Sequence, residues 1–215
     1  MMQKNIIQNI KHYNRNAIVF VSDKKQAKLT SLDFVSLLSM DTSSNSDTSY
    51  AKRFRKIPDD QMKIFSKKLT DQYLIHILDY GIGYIYDGMN EIEKEIVMKL
   101  FQIEGISILV VSQELKWELA SGSSSGSSSA SGSLSTSGIN KAFMVCVMDC
   151  EYYSTRNQRF VDYSIPEMVQ IMSLASISEK DKNKGKEYSS AKFIILCHGP
   201  KKNYYKKFLF EPFPI

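Results

Sequence analysis

Five short apolar runs punctuate the chain: Ala17–Val21, Ile82–Tyr86, Ile106–Val111, Phe143–Met148 and Phe193–Cys197. They are rich in Val, Ile, Phe and Tyr, and they do not alternate with polar residues. A strand with one wet face alternates. A run that is apolar almost throughout reads as a strand covered on both faces, as in a parallel sheet. Between the runs, apolar positions recur at helical spacing. Leu29, Leu32, Val35 and Leu38 form one stripe, and Ile92, Ile96, Val97, Leu100 and Phe101 form a second. Asn90 stands at the N-cap of the second stripe, with Glu93 three residues on as in a capping box. A third helix follows Ser164 and Pro166, with Met168, Ile171, Met172 and Ala175 on one face. Strand and helix alternate, which predicts an α/β class with a mostly parallel sheet flanked by helices.

Two stretches break this pattern. Asp41–Tyr50 is polar and rich in Ser and Thr, and reads as a loop. Ser121–Gly138 holds eleven Ser and four Gly in eighteen residues. Such a segment buries too little apolar surface to offset its ordering entropy and is expected to be flexible. It reads as an engineered linker or a natural insert, and the irregular Ala130, Leu134 and Thr136 favour the second. With these set aside, 215 residues suit one domain spanning 1–215.

Composition changes this picture little. Hydrophobic residues make up 43% of the chain, enough for a core once the polar insert is discounted, and the net charge is +5. A charge of that size is explained as well by a solvated lysine-rich surface as by a nucleic-acid partner. The three cysteines, Cys146, Cys150 and Cys197, lack the paired short spacing of a zinc site and the even count of a disulfide framework. Cys146 and Cys197 fall within apolar runs and are expected in the core, which points to a reducing compartment. Met1–Ile10 has no leader-like apolar stretch, and no run approaches a membrane-spanning length.

The usual catalytic constellations are missing. The one Gly-Lys pair, Gly185-Lys186, has no upstream glycine to cradle a phosphate and is followed by Glu187. His12, His76 and His198 are scattered without metal-ligand spacing, and His76 reads as an exposed or half-buried helical residue. There is no G-x-S-x-G elbow. Read from residues alone, this is an α/β domain without visible chemistry.

Longer motifs carry more. They are Asp149-Cys-Glu-Tyr-Tyr153, Phe160-Val-Asp-Tyr-Ser-Ile165, Gln170, Cys197-His198, and Lys201-Lys-Asn-Tyr-Tyr-Lys-Lys-Phe-Leu-Phe-Glu-Pro-Phe-Pro214. Upstream, Ala17–Gln26, Gly81–Met89 and Ile106–Trp117 agree in order and spacing. Together they resemble the second RecA-like domain of two-cassette, superfamily-two DExH-type RNA helicases. That family is related to the spliceosomal enzyme that unwinds paired small nuclear RNAs. Lys67–Asp71 and Met148-Asp149 resemble the C-terminal cassette, and a cousin acting in transcription coactivation and RNA surveillance is the alternative.

The resemblance implies a three-layer RecA-like fold. It also implies that the phosphate loop and the Mg-binding carboxylates lie in a first RecA-like domain outside this chain. ATP and Mg would then belong to the full parent, and this domain alone holds no cofactor, metal or catalytic residue. The family's helix Gln-x-x-Gly-Arg-x-x-Arg matches Gln170–Ile177, where Leu174 and Ile177 stand in place of both arginines. Arginines so placed stabilise charge on a transferring phosphoryl, worth on the order of 10³–10⁵ in rate. Glu118 replaces a glycine after Trp117, and Asp23 replaces a serine. Glu118, Gln170, Leu174 and Ile177 are therefore degenerate ATP-motif positions. The RNA-facing positions are Lys24, Asp87, Gly88, Ser112 and Gln113, which suit phosphates rather than base edges. Tyr86 stands where the family carries histidine, and either stacks on a base or packs as a strand aromatic.

What the resemblance implies is a regulatory and protein-docking module in a nuclear pre-mRNA splicing helicase. Its partners would be the first RecA-like domain and upstream cassette of its own parent, splicing-factor proteins and, weakly, RNA. The lysines between Lys180 and Lys207 interleave with aromatics. Tyr204 with Phe208 and Tyr205 with Leu209 are four apart, which predicts one packed face and lysines in water.

Overall fold

An all-parallel five-stranded sheet organises the computed structural model, which describes residues 2–42, 54–121, 142–176 and 190–210. In chain order the first elements are α1 (Met2–Tyr13), β1 (Ala17–Val21), α2 (Lys24–Thr42), α3 (Asp59–Ser66) and α4 (Gln72–Asp79). Next come β2 (Ile82–Ile85), α5 (Glu91–Gln102), β3 (Ile108–Ser112), a 3-10 turn (Gln113–Leu115) and α6 (Lys116–Ser121). Then follow β4 (Met144–Val147), β5 (Glu151–Ser154), β6 (Arg159–Asp162), α7 (Ile165–Ser173), β7 (Lys192–Ile195) and α8 (Gly199–Phe210). No described helix is long and apolar enough to cross a membrane.

The strand order is β2-β3-β1-β4-β7. β1 lies at the centre, with Val19 opposite Val110 of β3 on one side and Cys146 of β4 on the other. Every residue of β1, β2, β3 and β4 is buried, whereas the edge strand β7 is half-buried throughout. The five apolar runs are thus the five strands of the sheet, displaced by no more than two residues at either end. Helices flank the sheet, giving the three-layer α/β architecture of RecA-like domains. β5 and β6 form a separate antiparallel hairpin, with Tyr153 opposite Phe160.

The helices explain themselves locally, with corrections. α2 follows Asp23, whose carboxylate accepts the Gln26 amide at 2.9 Å. It packs on β1, β2 and β3. The stripe read from the sequence is rotated, because the helix buries Ala27, Ser31 and Phe34 with Val35 and Leu38 and leaves Leu29 54% exposed. Ser31 is tolerated there because its hydroxyl donates to the Ala27 carbonyl at 2.8 Å. In α5, Asn90 caps as expected, accepting the Ile92 amide at 3.0 Å, but Ile92 itself is exposed. Glu93 does not close a capping box. Its carboxylate accepts the Thr70 amide and hydroxyl, both at 2.8 Å, and the Asp71 amide at 3.0 Å. That ties α5 to the loop before α4.

At the start of α7, the Ser164 amide and hydroxyl donate to the Glu167 carboxylate at 2.7 and 2.8 Å. Met168 and Ile171 are buried, while Met172 and Ala175 are half-buried. Gly81, between α4 and β2, has φ +78°, and a Cβ there would lie 2.1 Å from the Phe54 carbonyl carbon. Only glycine fits that turn.

Cys146 sits in the core as expected, but Cys197 is half-exposed because it lies beyond the end of an edge strand. His76 is an exposed helical residue against Tyr80. In α8, Tyr205 is buried as the packed face requires and Tyr204 is 47% exposed; the side chains of Phe208 and Leu209 lie outside the described residues. Of the polar stretch 41–50, the first two residues finish α2 and 43–50 lie outside the described residues. Ser121 ends α6, and 122–138 of the Ser/Gly stretch also lie outside them.

Candidate functional site

In an open parallel sheet, ligands meet the carboxyl ends of the strands. Here β1 runs out into Asp23 and Lys24, β2 into Tyr86, Asp87 and Gly88, and β3 into Ser112 and Gln113. Because these strands are neighbours in the order β2-β3-β1, the topology sets Lys24, Asp87, Gly88, Ser112 and Gln113 along one edge. One direct link joins two of these ends: the Asp87 amide donates to Ser112 Oγ at 3.4 Å.

Individually these residues differ. Lys24, in the first turn of α2, is exposed, as are Asp87 and Gly88. Gly88 has φ +78° with open space where a Cβ would stand, so its backbone can be approached closely. Ser112 is fully buried, and Gln113 is buried with its side-chain carbonyl accepting from Lys116 Nζ at 2.7 Å. An anion at this edge therefore meets Lys24, the Gly88 backbone and the exposed Asp87 carboxylate before it meets the Ser112 or Gln113 side chains. Asp23 is turned to capping α2.

The next strand end is acidic. β4 runs out into Asp149, whose carboxyl is held above its ordinary range by burial first and then by Glu151 and Asp23. Asp149 repels a phosphate beside β4, while along β2-β3-β1 Lys24 attracts it and Asp23 and Asp87 oppose it.

A cluster that sequence reasoning missed borders the β2-β3-β1 edge. Tyr84 donates from its phenol to Asp71 Oδ2 at 2.7 Å, and Lys28 Nζ lies 2.9 Å from the same oxygen. The Lys28 ammonium sits 5.7 Å from the Tyr84 ring centroid and 5.8 Å from that of Tyr86. The two rings stack, with centroids 6.2 Å apart. Tyr86 is thus a half-buried strand aromatic with one face occupied. Burial pushes the Asp71 carboxyl up, but the hydrogen bonds from Lys28, Tyr84 and the Tyr73 amide outweigh it and hold it below the ordinary value. Burial and then Asp71 raise the Tyr84 phenol. Asp71 before a helical run is a legible N-cap, accepting the Tyr73 amide at 2.9 Å, but no spacing connects it to Lys28 or Tyr84.

Of the degenerate ATP-motif positions, Glu118 lies on α6 and Gln170 and Leu174 lie on α7 and its C-cap, two helices that touch. Glu118 on α6 pairs with Lys94 on α5 at 2.7 Å. Gln170 is half-buried on α7. Leu174 is 3% exposed, and its carbonyl accepts the Ala142 amide at 2.9 Å. Ile177 lies outside the described residues.

What ties this region together is Lys116. Its buried ammonium lies 3.0 Å from Glu167 and 4.8 Å from the Tyr152 ring centroid. Burial raises the Glu167 carboxyl, but hydrogen bonds from the Ser164 amide, Lys116 and the Ser164 hydroxyl bring it below its ordinary value. Among the described residues, no group of three or more His, Cys, Asp or Glu is placed to hold a metal ion.

No family model matches the chain. Curated relatives do. A DExH-box ATP-dependent RNA helicase of Arabidopsis thaliana is 30% identical over 199 residues, covering 92% of this chain and 8% of the relative. The U5 small nuclear ribonucleoprotein 200 kDa helicase of Drosophila melanogaster is 29% identical over 216 residues, covering 100% of this chain and 8% of the relative. The activating signal cointegrator 1 complex subunit 3 of Dictyostelium discoideum is 29% identical over 199 residues, covering 92% and 8%. The chain spans about 8% of the length of these relatives.

Proposed function

The chain is a helicase domain of the DExH-box RNA helicase type, and from that premise we propose that it is the second RecA-like domain of a degenerate cassette. The parent would be an ATP-dependent RNA helicase that unwinds paired small nuclear RNAs during pre-mRNA splicing in the nucleus. ATP and Mg would bind only where the first RecA-like domain completes the cleft. The cassette would act through contact with its upstream cassette and with splicing factors. The observation that carries this reading is Leu174: an apolar side chain, 3% exposed, at the first arginine position of the motif it resembles. An apolar residue packed into the fold supplies no charge to a phosphoryl group.

In this reading RNA phosphates lie along the β2-β3-β1 edge, on Lys24 and the exposed backbone at Asp87 and Gly88. The resemblance to the activating signal cointegrator 1 complex subunit, at 29% identity, favours a second parent, one acting in transcription coactivation.

The test is fluorescence anisotropy of labelled single-stranded RNA with the 215-residue chain over a salt series, beside an ATPase assay. Binding is expected to be weak, indifferent to base sequence and steeply salt-dependent. Lys24→Glu is expected to weaken it and reduce the salt slope by about one. No ATP turnover is expected, with or without RNA. Tight sequence-selective binding at physiological salt, or turnover that follows the protein through successive columns, overturns the reading.

A further inference from the structure

Two thiols that neither the phosphate-facing residues nor the degenerate ATP positions use lie near each other where β4 and β7 end. These strands run parallel, with Val147 opposite Ile195. Cys150 and Cys197 each follow shortly after that pair. Cys150 Sγ donates to the carbonyl of Leu196, the residue before Cys197, at 3.3 Å. That bond brings the Cys150 sulfur to within one residue of Cys197 along β7's continuation. Their surroundings differ in a useful way: Cys150 is 5% exposed, whereas Cys197 is half-exposed. The third cysteine, Cys146, is fully buried within β4.

We propose that Cys150 and Cys197 are a modification site, a pair that closes reversibly into an intramolecular disulfide by exchange with a small disulfide such as oxidised glutathione. Exposure sets the order of events. Cys197 loses its proton to solvent and its thiolate attacks glutathione disulfide. The glutathione S–S bond breaks, a Cys197–glutathione bond forms, and one glutathione leaves as thiolate. Cys150 then loses its proton and attacks the Cys197 sulfur, releasing the second glutathione thiolate. Two protein thiols are oxidised, one small disulfide is reduced, and the two departing thiolates take up the two protons. Burial first, and Cys197 next, push the Cys150 thiol up to about 12, with Lys201 acting the other way. The second step therefore draws on a small thiolate fraction at neutral pH and quickens as pH rises.

Closure ties the turn after β4 to the turn before α8. That helix already leans on the hairpin, where Lys201 pairs with Glu151 and Asp162, and on the Tyr163 carbonyl, which accepts from Tyr205 at 3.1 Å. A covalent link at its base would hold α8 against the sheet.

The test is intact-mass and peptide mapping of the whole chain equilibrated in reduced and oxidised glutathione over a range of ratios. The expected product lacks two hydrogens, maps to Cys150–Cys197, carries no glutathione and reverts with reductant. Cys150→Ser is expected to stop at glutathione on Cys197, and Cys146→Ala to behave as the parent. Closure rate should rise about tenfold per pH unit from neutral upward. Amides in the first turn of α8 should exchange more slowly in the closed form. The proposal is overturned if both thiols stay alkylatable in excess oxidised glutathione. It is equally overturned if the unaltered chain accumulates glutathione on Cys197, or if the bond maps to Cys146 or between two copies.

Discussion

Leu174 closes α7 with its side chain in the core and its carbonyl bound to the Ala142 amide. Leu174→Arg places a charge in the core, at an expected cost on the order of 3 kcal/mol or more. Leu174→Met, which keeps volume and polarity, should cost under about 1.5 kcal/mol. Urea titration followed by circular dichroism separates the two; equal midpoints would mean that position 174 is not packed. At this scale the sequence was a good guide to placement and a poor one to contact. Strand ends were legible, whereas the single edge that holds Lys24, Asp87, Gly88, Ser112 and Gln113 follows only from the strand order. That Gln113 is occupied by Lys116 was not legible. The lysine is held there by Glu167, and nothing local announces a partner so far along the chain.

α7 shows the same division one level up. Its start at Ser164 and Pro166 was readable because capping depends on residues a few positions apart. Its attachment was not, since it runs through Glu167 to Lys116 at the start of α6. That attachment has a pH signature. Glu167 has a folded pKa below its ordinary value of 4.5. Its contribution to stability is therefore fully present above that value and is lost as pH falls through the lower, folded one. Asp71 and Glu93 shift in the same direction. Asp149 shifts upward and opposes them. Thermal midpoints should fall as pH drops below about 4.5, and Glu167→Gln should flatten that fall while lowering the midpoint at neutral pH. A variant that kept the full acid slope would show that Glu167 does not supply it. The rotated stripe of α2 has a similar origin: helical spacing allowed Leu29 or Phe34 to face inward, and only the sheet beneath decided for the phenylalanine.

For the molecule as a whole, the run of buried strands was the most legible feature, because a strand covered on both faces has no polar positions to blur it. The order of those strands was not legible, since parallel neighbours leave no mark on one another's sequence. That order governs how the protein acquires its structure. β1 is the first strand in the chain and the central one in the sheet. Ala17 pairs with Ile108 on one side and with Met144 on the other. Both partners are far downstream, so the contacts that complete β1 carry a large loop-closure cost and folding should be slow for the chain's size. Until then Ala-Ile-Val-Phe-Val, uncharged and free of proline, waits with both edges open. Pulse-labelled hydrogen exchange during refolding should find β1 amides protected no earlier than those of β3. Early protection of β1 alone would contradict this. As this domain is synthesised, β1 emerges ahead of both strands that cover its edges, so a pause before β4 is a moment of exposure to aggregation and to chaperones.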